Sequence, residues 1–270
     1  MHREGEGRTA LVTGASAGIG KAFAEVLAAR GYRVVLTARR VERLEFLAEE
    51  LTRTSGVSAE VIAADLADPS APGDLVAEIA RRGLHVDVLV NNAGYGVPGR
   101  FDHVTWAQHD AFLRVMIGAV CELSYRLVPG MAARGWGRVI NVASLAGHLP
   151  APAGHTLYAA SKAFVIRFSE ALHAERASDG VFVTALCPGF TLSEFHDVTG
   201  TRDKVSRLPG FMWMDARTVA EEGYAAVMHG RPVYINGRVN RTLARLARVF
   251  PQGIVRRLVG ATGGRYRRMD

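Results

Sequence analysis

Tyr158 and Lys162 stand four residues apart in a stretch of helical pattern, which brings both side chains onto one face, and Ser144 ends a β-branched run fourteen positions before Tyr158. A phenol that ionises near pH 10 is a poor proton donor or acceptor at neutral pH. Lowering its pKa by ~3 units takes roughly 4 kcal/mol of preferential phenolate stabilisation. A neighbouring ammonium, joined by a second positive charge on a bound group, could supply it. A serine hydroxyl could then hydrogen-bond a substrate oxygen on which negative charge develops. Taken by itself, a Tyr-x-x-x-Lys pair also describes an ordinary helix surface, so its meaning depends on what the rest of the chain provides.

A second group of residues suits phosphate. Thr13-Gly14-Ala15-Ser16-Ala17-Gly18-Ile19-Gly20 follows a short apolar run and opens an Ala-rich helical stretch. Glycines at 14, 18 and 20 permit a tight turn and let a pyrophosphate approach the amides of a helix N-terminus. The same residues read as G-x-S-x-G, the nucleophile elbow of a serine hydrolase. That elbow belongs in the middle of a sheet, after strands that build an oxyanion loop, and only thirteen residues precede Gly14. The next β-branched run ends Leu36-Thr37-Ala38-Arg39-Arg40, where an acid would accept from a ribose 2′-hydroxyl and arginine favours a 2′-phosphate. NADP(H) is therefore the expected cofactor and NAD(H) the second candidate, although two arginines could also just solvate a helix start. Asp65-Leu66 and Asn91-Asn92-Ala93-Gly94 follow the third and fourth strand-like runs, at the strand ends where open parallel sheets bind ligands.

The elements that must position these residues alternate regularly. Strand patterns at 9–13, 33–37, 57–63, 86–91, 138–143 and 181–186 are interleaved with helical patterns at 18–30, 41–51, 75–82, 106–133 and 156–177. Repeated βαβ units predict a doubly wound α/β fold, a parallel Rossmann-type sheet in a single domain over 1–270. Val86–Val90 and Val181–Leu186 are nearly all apolar, as strands buried on both faces must be. Periodicity fails between Thr191 and Asp215, a stretch expected to act as a substrate lid tucked down by Phe211-Met212-Trp213-Met214. Val233–Ile235 reads as a last strand, and a basic extension follows over 238–270.

With 49% hydrophobic and 22% charged residues, the 270-residue chain suits a well-buried globular core. No run approaches the ~18 apolar residues of a spanning helix, and no apolar leader opens the chain, so a soluble cytoplasmic protein is expected. Cys121 and Cys187 are too few for a disulfide framework, and the nine histidines show no metal spacing, so no metal is expected. The net charge of +7 is local: residues 231–270 hold ten arginines against Asp270, which leaves −2 for the rest. A nucleic-acid groove is not encoded in the body. In the tail, Arg241, Arg245 and Arg248 share one helical stripe and Leu243, Leu246 and Phe250 another. Such a helix is expected to dock on its own body or on a second subunit, with a membrane surface less favoured.

In this order the glycine motif, Asp65, Asn91–Gly94, Ser144, Tyr158-Ala159-Ala160-Ser161-Lys162 and Pro188-Gly189 closely resemble the classical short-chain dehydrogenase/reductase family over nearly the whole chain. The resemblance implies a seven-stranded sheet and NAD(P)(H)-linked interconversion of an alcohol and a ketone or aldehyde. It assigns Tyr158 as general acid/base, Lys162 as modulator of that tyrosine and ligand of the nicotinamide ribose, and Ser144 as stabiliser of the substrate oxygen. It places the cofactor against Gly14, Ser16, Gly18, Ile19, Gly20, Asp65, Leu66, Asn91, Ala93, Gly94, Pro188, Gly189, Thr191 and Ser193. Tyr95, Leu145, Leu149, His155, Phe190 and Trp213 suggest an apolar substrate pocket, and a homodimer or homotetramer is expected. One position departs: the family's tetrad asparagine is Met116 here, which cannot replace that side chain's hydrogen bonds. The alternative functions are therefore a cofactor-binding regulator with weak catalysis and an interaction module that uses the fold as a scaffold.

Overall fold

The computed structural model describes residues 3–97, 99–151, 153–154, 156–192, 194, 210–250, 253, 255 and 257. Strands β1 (Thr9–Thr13), β2 (Arg33–Thr37), β3 (Ala59–Val61), β4 (Val88–Asn91), β5 (Gly137–Val142), β6 (Val181–Cys187) and β9 (Val233–Ile235) form one parallel sheet of seven strands in the order β3-β2-β1-β4-β5-β6-β9. Short strands β7 (Phe190–Thr191) and β8 (Trp213–Met214) pair separately. Neighbours along the central strands face opposite ways. Ala10 and Val12 of β1 join one core with Val88 and Val90, whereas Leu11 joins the other with Leu89 and Val35. Helices α1 (Gly18–Ala29) and α2 (Val41–Ser55) cover the first core, and α3 (Ala71–Arg81) and α5 (Ala119–Ala133) the second. This is the doubly wound arrangement that the alternating runs predicted.

The structure departs from the predicted elements in two places. The helical pattern over 106–133 is not one helix. Helix α4 (Trp106–Leu113), opened by a capping box between Thr105 and Gln108, passes into α5 through a turn of π-helix at Arg114–Gly118. Such turns insert an extra residue into the ladder and re-aim one side chain, here in the segment that carries Met116. Second, residues 216–228 form a helix, α7 (Ala216–Met228), that the strand and helix patterns above leave out. Asp215 caps it by accepting from the Thr218 amide at 3.0 Å. Val219, Ala220, Tyr224 and Val227 bury one face of α7 in the first core. Gly223 lets it come close, since a Cβ there would lie 2.7 Å from Leu186 and 2.9 Å from Phe23. Helix α6 (Thr156–Arg176) packs Val165 and Ile166 on Ala143, Ala185 and Cys187, and α8 (Arg238–Val249) follows β9. Among the described residues no helix is long and apolar enough to cross a membrane.

Candidate active site

The order of the sheet reverses between β1 and β4, and the glycine turn lies at that crevice. Gly14 and Gly18 adopt left-handed backbone (φ 65° and 56°), which favours glycine. A Cβ at Gly14 would approach Ala93 Cα to 2.9 Å, and one at Gly20 would collide with the Gly14 carbonyl and the Asn92 amide. Thr13 ties the two strand ends together. Its hydroxyl donates to the Val90 carbonyl (3.2 Å) and accepts from the Asn92 and Ala93 amides (2.9 and 3.0 Å), while Asn92 Nδ2 donates to the Thr13 carbonyl at 3.0 Å. The N-terminus of α1 has no side-chain cap and no acid in its first turn. Its amides therefore point, without a competing side-chain acceptor, at the place a pyrophosphate would take, so these residues fit a dinucleotide.

Past the cradle, Arg40 donates to Ser16 Oγ from Nε and Nη2 (3.2 and 2.9 Å). Its Nη1 lies 2.8 Å from Glu194 Oε2, and Arg43 Nη1 lies 2.6 Å from Glu194 Oε1. The two guanidinium groups hold the Glu194 carboxyl below the usual carboxylate range. Arg39 is turned the other way, 3.9 Å from Asp65. A cavity of ≈610 Å³ opens here, bordered by Ser16, Gly18, Arg43, Phe46, Leu192 and Glu194. Arg43 and Glu194 carried no sequence signal: one lies on a helix turn rich in charge, the other in the aperiodic stretch.

Asn91 behaves differently from its motif neighbours. Its side chain is buried and donates to Asn141 (2.8 Å) and toward Ser124 (3.4 Å), with Asn141 donating on to Ser169 (2.9 Å). This chain joins β4, β5, α5 and α6 inside the core. The side-chain nitrogen of Asn91, a residue expected beside the cofactor, is thus engaged within the core. Leu66 is also buried, in a small cluster with Ala71, Val115 and Ala119.

At the end of β5, Ser144 caps the turn Leu145–His148 by accepting from the Ala146 amide at 3.1 Å, while the Leu145 amide donates to the Pro188 carbonyl. Tyr158 and Lys162 occupy successive turns of α6, with Lys162 Nζ 5.9 Å from the centre of the Tyr158 ring. Lys162 is 8% exposed and donates to the Val142 carbonyl at 2.7 Å. Burial lowers its pKa from the ordinary 10.5 to about 8. The nearby Cys187 thiol gives little relief, because burial pushes it up to about 12 and keeps it neutral. Met116 is buried at 2% exposure, and a Cβ on Gly94 would lie 2.9 Å from its sulfur. The thioether thus fills the space under the Asn92–Gly94 turn.

On the side where the substrate pocket is expected, Tyr95 meets Phe112 edge-on at 5.6 Å, and burial raises its phenol pKa. Phe190 and Trp213 face each other at 5.7 Å across β7 and β8, and Thr191 Oγ1 donates to the Gly189 carbonyl at 3.2 Å. A narrow cleft beside Tyr158 is bordered by Val97, Phe112 and Leu157. His155 and Ser193 lie outside the described residues, as does most of the expected lid.

Residues 8–203 match the family model for short chain dehydrogenase. The chain is 39% identical over 199 residues to the very-long-chain 3-oxoacyl-CoA reductase of Anas platyrhynchos, covering 72% of this chain and 63% of that protein. The chain thus spans under two thirds of the length of that relative. It is 36% identical over 240 residues to nodulation protein G of Rhizobium sp. (strain N33), covering 86% and 96%. A short-chain dehydrogenase from Sphingobium yanoikuyae, solved in complex with NADPH, superposes with a TM-score of 0.79 at 30% identity over 92% of this chain and 94% of that one. Family model, relatives and fold agree, and the chain belongs to the short-chain dehydrogenase/reductase family of oxidoreductases.

Proposed function

We propose that this chain is an NADP(H)-dependent oxidoreductase that interconverts a carbonyl compound and its alcohol, with Tyr158 as general acid/base. The observation that carries the reading is Lys162: a buried ammonium held by one carbonyl, one helical turn from a phenol and beside the sheet end that bears Ser144. A charge kept in so apolar a place, with no carboxylate partner among the described residues, is costly, and it makes sense as a device that favours the phenolate of Tyr158. The nicotinamide, when bound, supplies or accepts the hydride. The chain's own part is to hold the substrate oxygen between Ser144 Oγ and Tyr158, to move the proton at the tyrosine oxygen, and to keep water away with Tyr95, Phe112 and Leu157.

Preference for the 2′-phosphate rests on Arg40 and Ser16. Glu194 illustrates the point, since its carboxylate is already held by two guanidinium groups in the manner a phosphate would use. The apolar wall and the similarity to 3-oxoacyl-CoA reductases support a ketone on an apolar chain as the substrate class. Met116 favours a second reading, a cofactor-binding regulator that holds NADP(H) and has little catalysis of its own to restore. NADPH oxidation across ketones, aldehydes, quinones and a long-chain 3-oxoacyl thioester separates the two. Turnover of at least one carbonyl is expected. Tight NADPH binding with no turnover, unrescued by Met116→Asn, would establish the second reading.

A further inference from the structure

Helix α8 is turned the wrong way out for a helix that serves only its own body. Asn240, Ala244 and Ala247 face inward, at 8%, 3% and 7% exposure. Asn240 donates to the Asn236 carbonyl at 2.8 Å and lies against Gly189. Val239, Leu243, Leu246 and Phe250, spaced so as to form one stripe, are 44%, 40%, 45% and 50% exposed, with Val249 more open still at their margin. Small and polar residues are buried and large apolar ones face outward, which is the reverse of the usual partition. The third face carries Arg238 and Arg245, both exposed, and Arg241, which donates to the Ile235 carbonyl at 3.0 Å.

Charge decides what covers the stripe. Residues 231–270 carry ten arginines and one carboxylate, while the rest of the chain sums to −2. A second copy pairing its stripe antiparallel to this one would set the two arginine faces side by side along the contact, like charge next to like charge. An anionic lipid surface takes both faces at once, the apolar stripe at the acyl boundary and the guanidinium groups on headgroup phosphates. We propose that α8 docks the chain on an anionic membrane surface through Val239, Leu243, Leu246 and Phe250, with Arg238 and Arg245 on lipid phosphates. Because α8 packs on the Leu145–His148 turn that follows Ser144, and Asn240 touches both Gly189 and Met214, docking sets the rim of the candidate site beside the lipid.

The test is co-sedimentation of the full chain with vesicles of phosphatidylcholine alone and of phosphatidylcholine mixed equally with phosphatidylglycerol, at about 0.15 M salt. Binding to the anionic vesicles at least tenfold tighter than to the neutral ones is expected. Leu243→Asp with Leu246→Asp should abolish the binding while leaving the melting temperature within a few degrees, because both side chains are exposed. Arg238→Gln with Arg245→Gln should weaken it by roughly tenfold. Three results would overturn the proposal: native chain left in the supernatant with anionic vesicles, a leucine double variant that pellets like the native chain, or a dimer by light scattering that the leucine substitutions split without any vesicle binding.

Discussion

Lys162 and the pair Arg40 and Arg43 are cations at the same edge of the sheet, held in opposite ways. Lys162 is buried, donates to a single carbonyl, and is driven down to about 8 by the loss of water around it. Arg40 and Arg43 are about half exposed, share one carboxylate and, through Arg40, a serine hydroxyl, and are free to exchange partners with solvent. A desolvated charge acts strongly on whatever forms beside it, whereas a hydrated one reads its ligand by geometry and responds to salt. The end proposed for catalysis is therefore expected to show large, all-or-none effects on rate, and the end proposed for the 2′-phosphate graded effects on affinity.

Removing the proposed acid should give the largest change. Tyr158→Phe is expected to lower carbonyl reduction by at least 10²- to 10⁴-fold, with NADPH affinity by fluorescence titration changed less than threefold. An equal loss of affinity and rate would break the contrast between the two ends. Met116→Asn should raise kcat by about 10- to 100-fold at most, since it restores one polar link and touches no phosphate contact. At the other end, NADPH should bind at least tenfold more tightly than NADH, about 1.4 kcal/mol, and either Arg40→Ala or Arg39→Asp should erase the gap. Arg40 is the stronger of the two by geometry, because Arg39 faces Asp65. Equal affinities in the native chain would remove the NADP(H) assignment.

The smallest effect sharpens the account of Lys162. Its folded pKa lies below the ordinary value, so the native state holds fewer protons than the unfolded chain between pH 8 and 10.5. Burying the ammonium is therefore a full cost below about pH 8, and that cost fades as pH rises towards 10.5. Lys162→Met, close in volume, should melt higher than the native chain at pH 7 by an amount on the order of 1 kcal/mol, with the difference narrowing by pH 10. A lower melting temperature for the variant at pH 7 would show that the hydrogen bond to Val142 outweighs the desolvation.

The sheet and the glycine turn were legible because local rules fix them: all-apolar runs demand burial on both faces, and Gly14 and Gly18 sit at positive φ. Helix α7 was also written in the sequence, as Asp215 capping Thr218 and apolar residues at 219, 220, 224 and 227, but the aperiodic stretch before it obscured its start. The π turn could not be seen, since 106–133 keeps a helical pattern throughout and the insertion shows only in hydrogen bonding. The inward turn of the Asn91 amide was not legible, because its motif says where the backbone runs and not which way an amide points. Glu194 reaches Arg40 and Arg43 across about 150 positions. Its partners are a product of tertiary packing.

The pH dependence of NADPH-driven carbonyl reduction, measured for the native chain and for Lys162→Met, tests most directly whether the buried ammonium serves the proton transfer at Tyr158. The native rate is expected to fall as pH rises through about 8, where Lys162 loses its charge, and the variant should be at least 10²-fold slower with no break at that pH, a loss well beyond the weakening of NADPH binding that follows from losing the ribose contact. A Lys162→Met enzyme with the native rate and the native profile would contradict the account.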